Sequence, residues 1–128
     1  MDIEKTKQYY SEITREDCCL CDFCQNYIDE IKAAYPKVAE YLTTLGVDIE
    51  IPFELLLPVQ YVNGKLKYDV AMYLVAGNTD GFERTIIGDV DIDIETSHPT
   101  ATYKGEHFII SAGPLLIKAN TDKYDLEV

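Results

Sequence analysis

PKVAEYLTTLGVDIEIPFELLL, residues 36 to 57, changes its period halfway. Up to Leu45 the apolar residues Val38, Tyr41, Leu42 and Leu45 recur at steps of three and four, which gathers them on one face of a helix. Beyond Gly46 the step is two. Val47, Ile49 and Ile51 alternate with Asp48 and Glu50, and Phe53, Leu55 and Leu57 resume past Pro52. That is the spacing of a strand with one face buried. Gly46 stands where a helix closes in the left-handed conformation, so the change from helix to strand is placed there.

The helical period extends upstream. Cys21, Cys24, Ile28, Ile31 and Tyr35 form one stripe, widened by Tyr27 and Ala34, with Asp29, Glu30 and Lys32 away from it. Pro36 lacks an N–H and cannot continue that helix, but it suits the first turn of a new one. The expectation is a helix, a break at Tyr35-Pro36, and a shorter helix. Residues 1 to 17 are polar and read as an arm or a loose helix.

Downstream the strand signals multiply. Asn63-Gly64 between two β-rich runs predicts a two-residue hairpin, because both turn residues must accept positive φ. It would join approximately residues 56–62 to 65–75. Residues 76–81 read as a loop. Residues 84–87 and 90–95 read as strands around Gly88-Asp89, and His98-Pro99 as a turn. Residues 106–111 and 115–118 follow as strands, broken at Gly113-Pro114. From Ala119 onward the chain is polar and is expected to fray. Helices come first, then many strands without helical crossovers. The fold class is therefore α+β, an N-terminal helix pair packed on a mainly antiparallel sheet. The 128 residues suit one domain over 1–128, with a polar segment at 1–17 and a polar tail at 119–128.

Composition narrows the class of function. Hydrophobic residues make 47% and charged ones 27%, as in globular proteins. No apolar run approaches the ~20 residues that span a bilayer, and MDIEKTKQYY has no apolar core of a signal peptide. A cytoplasmic protein with reduced thiols is expected. The net charge of −12 repels nucleic acid and anionic membranes and favours a basic protein partner or divalent cations. Solubility alone also explains such a charge.

EDCCLCDFC, residues 16 to 24, holds all four cysteines: Cys18, Cys19, Cys21 and Cys24. Cys18-x-x-Cys21 and Cys21-x-x-Cys24 have the spacing of zinc-ligand pairs, and Cys19-x-Cys21 is an alternative. A turn entering a helix lets i and i+3 thiolates converge, and the helix N-terminus favours the thiolate. A fourth ligand would come from His98 or His107, the only histidines, or from Asp17 or Asp22. If these thiols hold a metal, the cofactor is zinc; no cofactor is required by the sequence. Four cysteines this close make a poor iron–sulfur chelate. Against any metal, Cys21 and Cys24 also continue the apolar stripe of Ile28 and Ile31, and free cysteine packs as a small hydrophobe.

GDVDIDIE, residues 88 to 95, is the second constellation. In a strand Asp89, Asp91, Asp93 and Glu95 share one face, about 6.6 Å apart from a rise of ~3.3 Å per residue. That is too wide for neighbouring carboxylates to grip one small ion. The D-x-D-x-D opening is not an EF-hand, because Ile94 and Thr100 stand where glycine and the closing glutamate belong. The ladder is a candidate surface for a basic partner, a weak calcium site helped by the loop Asn78 to Asp80, or a solvated face that discourages edge pairing. No Walker loop, dinucleotide glycine pattern, HExxH or G-x-S-x-G is present, so no catalytic residue is assigned.

The segments CLCDFCQNYI (19–28), IKAAYP (31–36), YLTTLGVDIEIPFEL (41–55), SHP (97–99) and EHF (106–108), in that order, resemble a family of small bacterial proteins of no assigned activity. The resemblance spans residues 18 to 117. It implies a single cytoplasmic domain with a cysteine-rich approach to the first helix. Cys19, Cys21 and Cys24 match the family's cysteine pattern, and Cys18 is an addition to it.

Three functional classes remain open. The first is a non-enzymatic acidic binding protein with a structural metal, for example an immunity or antitoxin-like protein that masks a cationic nuclease. The second is a thiol enzyme or redox protein using Cys19, Cys21 or Cys24, with His107 as base. The third is a small-ligand module built on the tyrosines of the sheet.

Overall fold

The computed structural model describes residues 1–57 and 59–127. Helices lead: α1 (Ile3–Ser11), a 3-10 turn at Arg15–Asp17, α2 (Asp22–Ala34) and α3 (Pro36–Thr44). Strands follow: β1 (Glu54–Leu55), β2 (Gln60–Val62), β3 (Lys65–Tyr68), β4 (Ala71–Ala76), β5 (Thr85–Ile87), β6 (Val90–Glu95), β7 (His107–Gly113) and β8 (Leu115–Ile117). Every pairing is antiparallel, in one sheet of order β1-β4-β7-β6-β5 and another of order β2-β3-β8. The molecule is α+β, as the order of periods requires. No helix among the described residues is long and apolar enough to cross a membrane.

The helix pair breaks where proline demands. Tyr35 closes α2 and opens α3, and Pro36 occupies the first position of α3. The end of α3 is a Schellman motif. Gly46 N–H donates to Thr43 O and Val47 N–H to Leu42 O, both at 3.0 Å. Gly46 has φ +84°, and a Cβ there would stand 2.7 Å from the Ile3 carbonyl of α1. Conformation and close packing both demand glycine at this position. At the hairpin Asn63 and Gly64 take φ of 52° and 79°, the two positive angles that such a turn requires.

Two expectations are corrected. The alternating stretch from Val47 is not a strand before Glu54. The Asp48 carboxylate accepts from Glu50 N–H at 2.9 Å and its carbonyl from Ile51 N–H at 3.0 Å, which coils the chain into a turn. Pro52 then offers no donor for a ladder. Val47 and Ile49 are nevertheless buried, so the alternation reports burial and not pairing. The run expected to continue from Lys65 to Val75 is also divided. β3 and β4 belong to different sheets, and the chain crosses between them at Asp69-Val70. β7 and β8 cross back at Gly113-Pro114. The two corners touch, since a Cβ on Gly113 would overlap the Asp69 carbonyl oxygen.

β4 is buried at every position. Its face carrying Ala71, Tyr73 and Val75 joins the main core with Ile28, Ile31, Val38 and Leu42 of the helix pair. Its other face puts Met72 and Leu74 with Ile109 in a smaller cluster, covered by Tyr9, Phe53 and Tyr103. One edge of β4 pairs with β7 throughout. The opposite edge meets β1 only at Ala71 and Met72. The remainder is sealed by α1. Tyr10 Oη donates to Leu74 O at 2.8 Å and accepts from Leu74 N–H at 3.0 Å. Thr6 Oγ1 accepts from Ala76 N–H at 2.9 Å, and Asp2 N–H donates to Ala76 O at 2.8 Å. The segment read as an arm or loose helix is thus the cover of an open strand edge, and this explains the full burial of Thr6.

Between Ala119 and Glu127 the chain is pinned rather than frayed. Asn26 is fully buried and donates to Lys118 O at 3.0 Å while accepting from Asn120 N–H at 2.9 Å. Asp29 then collects Arg15 Nη1 at 2.6 Å, Lys123 Nζ at 3.1 Å and the Tyr124 hydroxyl. Leu126 enters the core. Burial pushes the Asp29 carboxyl up, but hydrogen bonds from Arg15, Tyr124 and Lys123 outweigh it and hold the pKa at about 2.

Tyr10→Phe leaves both polar groups of Leu74 unpaired inside the protein. It should cost about 1–3 kcal/mol in urea unfolding, against less than about 1 kcal/mol for Tyr61→Phe, whose carbonyl partner Leu126 O is bound from a half-exposed ring. Equal losses would deny the edge-sealing role. Asp29 has a folded pKa below its ordinary 3.8. Its contribution is therefore complete above about pH 4 and lost as pH falls toward 2. Asp29→Asn should destabilise by about 1–2 kcal/mol at pH 7, after allowance for solvent screening. The gap from wild type should narrow below pH 4, and chemical denaturation across pH 2–7 measures it.

Candidate metal centre

The cysteine turn is shaped by its polar neighbours. Thr14 and Asp17 form a capping box, with the Asp17 carboxylate accepting from Thr14 N–H at 2.9 Å. Arg15 reaches across to α2, where Nε donates to Gln25 Oε1 at 2.6 Å and Nη2 to Gln25 O at 3.2 Å. Gln25 Nε2 in turn donates to Cys19 O at 2.9 Å. This chain of bonds folds residues 18–21 back over the start of α2. Cys21 is the N-cap, and its Sγ accepts from Cys24 N–H at 3.4 Å.

The result is a cluster of three. The sulfurs of Cys19, Cys21 and Cys24 all lie within 4.8 Å of one another. No disulfide joins them; all four cysteines are free. They are close enough to hold a metal ion. Around a tetrahedral ion with metal–sulfur bonds of about 2.3 Å, sulfurs stand about 3.8 Å apart, so closure needs only a small inward movement. Cys19 and Cys21 are exposed and Cys24 is buried. The Cys19 thiol is held below its ordinary value, first by a hydrogen bond from the Cys21 backbone N–H. Burial pushes the Cys24 thiol well up, and its contacts with Cys21 and Cys19 push it further. The cluster thus pairs a thiol that ionises readily with one that resists ionisation unless a cation is beside it.

The apolar stripe begins at Cys24 and not at Cys21. Cys21 turns outward because the capping geometry, not helical periodicity, sets its direction. Cys18 lies outside the cluster: it is half-buried against the core, with Sγ 3.9 Å from Thr14 O. Burial and the Asp17 charge push its thiol up. His98 is exposed with Nδ1 2.8 Å from Pro99 O, and its ring stands edge-on to Phe53. His107 Nδ1 is 2.8 Å from Gly105 O beside Tyr103. Neither histidine joins the group of three, nor does Asp22, whose carboxylate accepts from Asp125 N–H at 3.0 Å. Beside the thiols lies a cavity of about 200 Å³ lined by Asp17, Cys18, Cys19, Cys24, Pro52, Phe53 and Glu54 among others. Sequence reasoning missed Glu54. A single acid among apolar residues carries no signal until the fold sets it beside the cysteines.

The acidic ladder is distributed differently from a bare row of charges. Asp89 sits in the turn before β6. Asp91 is held by Arg84 through two bonds, at 2.9 and 2.6 Å, and this lowers its pKa. Asp93 accepts from Ile94 N–H and Glu95 from Ser97 N–H. β7 lies along one side of β6 through Glu95, whereas β5 covers the other side only as far as Ile92, so Asp93 and Glu95 stand at an open stretch of sheet edge. The tyrosines are mostly internal struts. Tyr27 donates to Tyr73, which donates to Ile49 O at 2.7 Å, Tyr68 donates to Phe23 O at 2.6 Å, and Tyr35 accepts from Leu116 N–H at 2.7 Å. Compared with models of protein families, with curated proteins and with solved structures, the chain matches none.

Proposed function

We propose that the chain is a non-enzymatic acidic binding protein in which Cys19, Cys21 and Cys24 hold a structural zinc ion. The convergence of three sulfurs within 4.8 Å at the start of α2 carries the reading. Zinc suits it because it takes thiolates without a geometric demand of its own. A buried thiol such as Cys24 gains a reason to ionise only beside a cation. With zinc bound, the ion would tie residues 19–21 to the first turn of α2, a segment held otherwise by the Arg15–Gln25 chain of bonds. No histidine accompanies the thiols among the described residues, so the thiol–imidazole alternative has no geometric support. The net charge of −12 favours a basic protein partner, approached through exposed acids such as Asp89 and Asp93, in the manner of an immunity or antitoxin-like protein.

Protein purified without a histidine tag should contain about one equivalent of zinc by elemental analysis. Cys24→Ala and Cys21→Ser should lose it, and Cys18→Ser should keep it. Protein free of zinc, or zinc retained by Cys24→Ala, refutes the metal reading. For the partner, association should slow as salt rises, and the Asp89→Lys, Asp93→Lys double variant should associate more slowly still. A partner captured with affinity indifferent to salt refutes the charge argument.

A further inference from the structure

We infer that Glu54, on the edge strand β1, is the fourth ligand of the metal held by Cys19, Cys21 and Cys24. The inference rests on the zinc reading above and adds to it the closure of the site. Three thiolates leave a tetrahedral ion one position short. What fills it decides whether the site is closed and structural or open to water.

The cavity beside the thiols offers few donors. Asp17 is tied to the turn before the thiols, since its Oδ2 accepts from Thr14 N–H at 2.9 Å and closes the capping box, leaving only Oδ1 to spare. Cys18 points its sulfur toward the Thr14 carbonyl. Glu54 lines the same cavity as Cys19 and Cys24, and its carboxylate forms no ion pair among the described residues; it stands outside the group of three sulfurs, so ligation needs its side chain to swing inward. Its neighbour on β1, Leu55, lines the same cavity from the core side, together with Ile28 of α2. Once the three thiols ionise, a carboxylate beside them is a like-charge arrangement in a chain of net charge −12. A divalent cation turns that repulsion into attraction, because carboxylate oxygen binds zinc at about 2.0–2.2 Å. The complex would carry net charge −2, facing the N-terminus of α2, where the helix dipole favours negative charge. The ion would then join the start of α2 to the sheet edge.

X-ray absorption at the zinc edge of the zinc-loaded wild type should show three sulfurs and one oxygen. Four sulfurs would place Cys18 in the site and overturn the inference. Glu54→Gln should still take up zinc, with affinity lowered about 10- to 100-fold in competition with a chromophoric chelator. Its cobalt form should change its visible spectrum when imidazole is added, because a position has opened, while the wild-type cobalt spectrum should not respond. Metal-free Glu54→Gln should melt with the metal-free wild type, which separates lost ligation from lost folding. A variant with wild-type zinc affinity and a cobalt spectrum indifferent to imidazole overturns the inference and leaves the three-thiolate reading standing. A wild type that binds no zinc overturns both.

Discussion

The open edge of β4 is the constraint on which the remainder of the structure depends. β4 is buried along its whole length. Its backbone groups therefore cannot be left to water, and each unpaired one would cost as much as a lost buried hydrogen bond. β7 satisfies one edge. On the other, a strand of only two residues covers the start, and α1 covers the end with a hydroxyl from Tyr10, a hydroxyl from Thr6 and the Asp2 amide. A helix does what a further strand would do, without presenting a new edge in its turn.

The same device recurs across the molecule. Asn26 stands against residues 118 and 120 as a length of backbone would, donating to one and accepting from the other. Tyr35 accepts from Leu116 N–H on β8, and Tyr68 donates to Phe23 O on α2. Long polar side chains thus splice helices to strands wherever a regular ladder stops. Each keeps a ring or stem in the core and brings its polar tip to a backbone group, which is the use to which tyrosine is best suited. This accounts for a chain with ten tyrosines and no tryptophan. It also leaves few tyrosine hydroxyls for a ligand on the sheet.

What could be read beforehand was local. The break at Tyr35-Pro36, the closure at Gly46, the Asn63-Gly64 hairpin and the strand over Val90–Glu95 each depend on residues within a few positions of one another. What could not be read was contingent on distant partners. Val47 and Ile49 alternate like a strand because they are buried, yet they join no ladder among the described residues, and the Asp48 side chain closes a turn instead. The sheet change at Asp69-Val70 is a matter of which neighbour, β8 or β7, each half of the run meets. Thr6 and Tyr10 look like ordinary residues of a polar helix until the edge of β4 is set against them. At the site, the cluster of cysteines was evident. The resemblance already set Cys18 apart from Cys19, Cys21 and Cys24; how those three are gathered was not legible, because capping at Cys21 and the Gln25 bond to Cys19 orient the turn.

The metal reading and the edge of β4 are one problem seen from two sides. β1 reaches β4 through only two paired residues, too few to hold an edge strand by ladder bonds alone. Phe53 N–H to Met72 O and Leu56 N–H to Val70 O extend the contact by one bond at either end. An ion gripping Glu54 and the cysteines would anchor that short strand to α2, which is itself fixed through Asn26, Asp29 and the buried face of Tyr27, Ile28 and Ile31. On this view β1 needs no greater length, because coordination from the helical layer would add to the few bonds that pair it with β4. The half of the β4 edge that β1 covers would then be steadied by a metal acting through β1, as the other half is closed by the hydroxyls of α1.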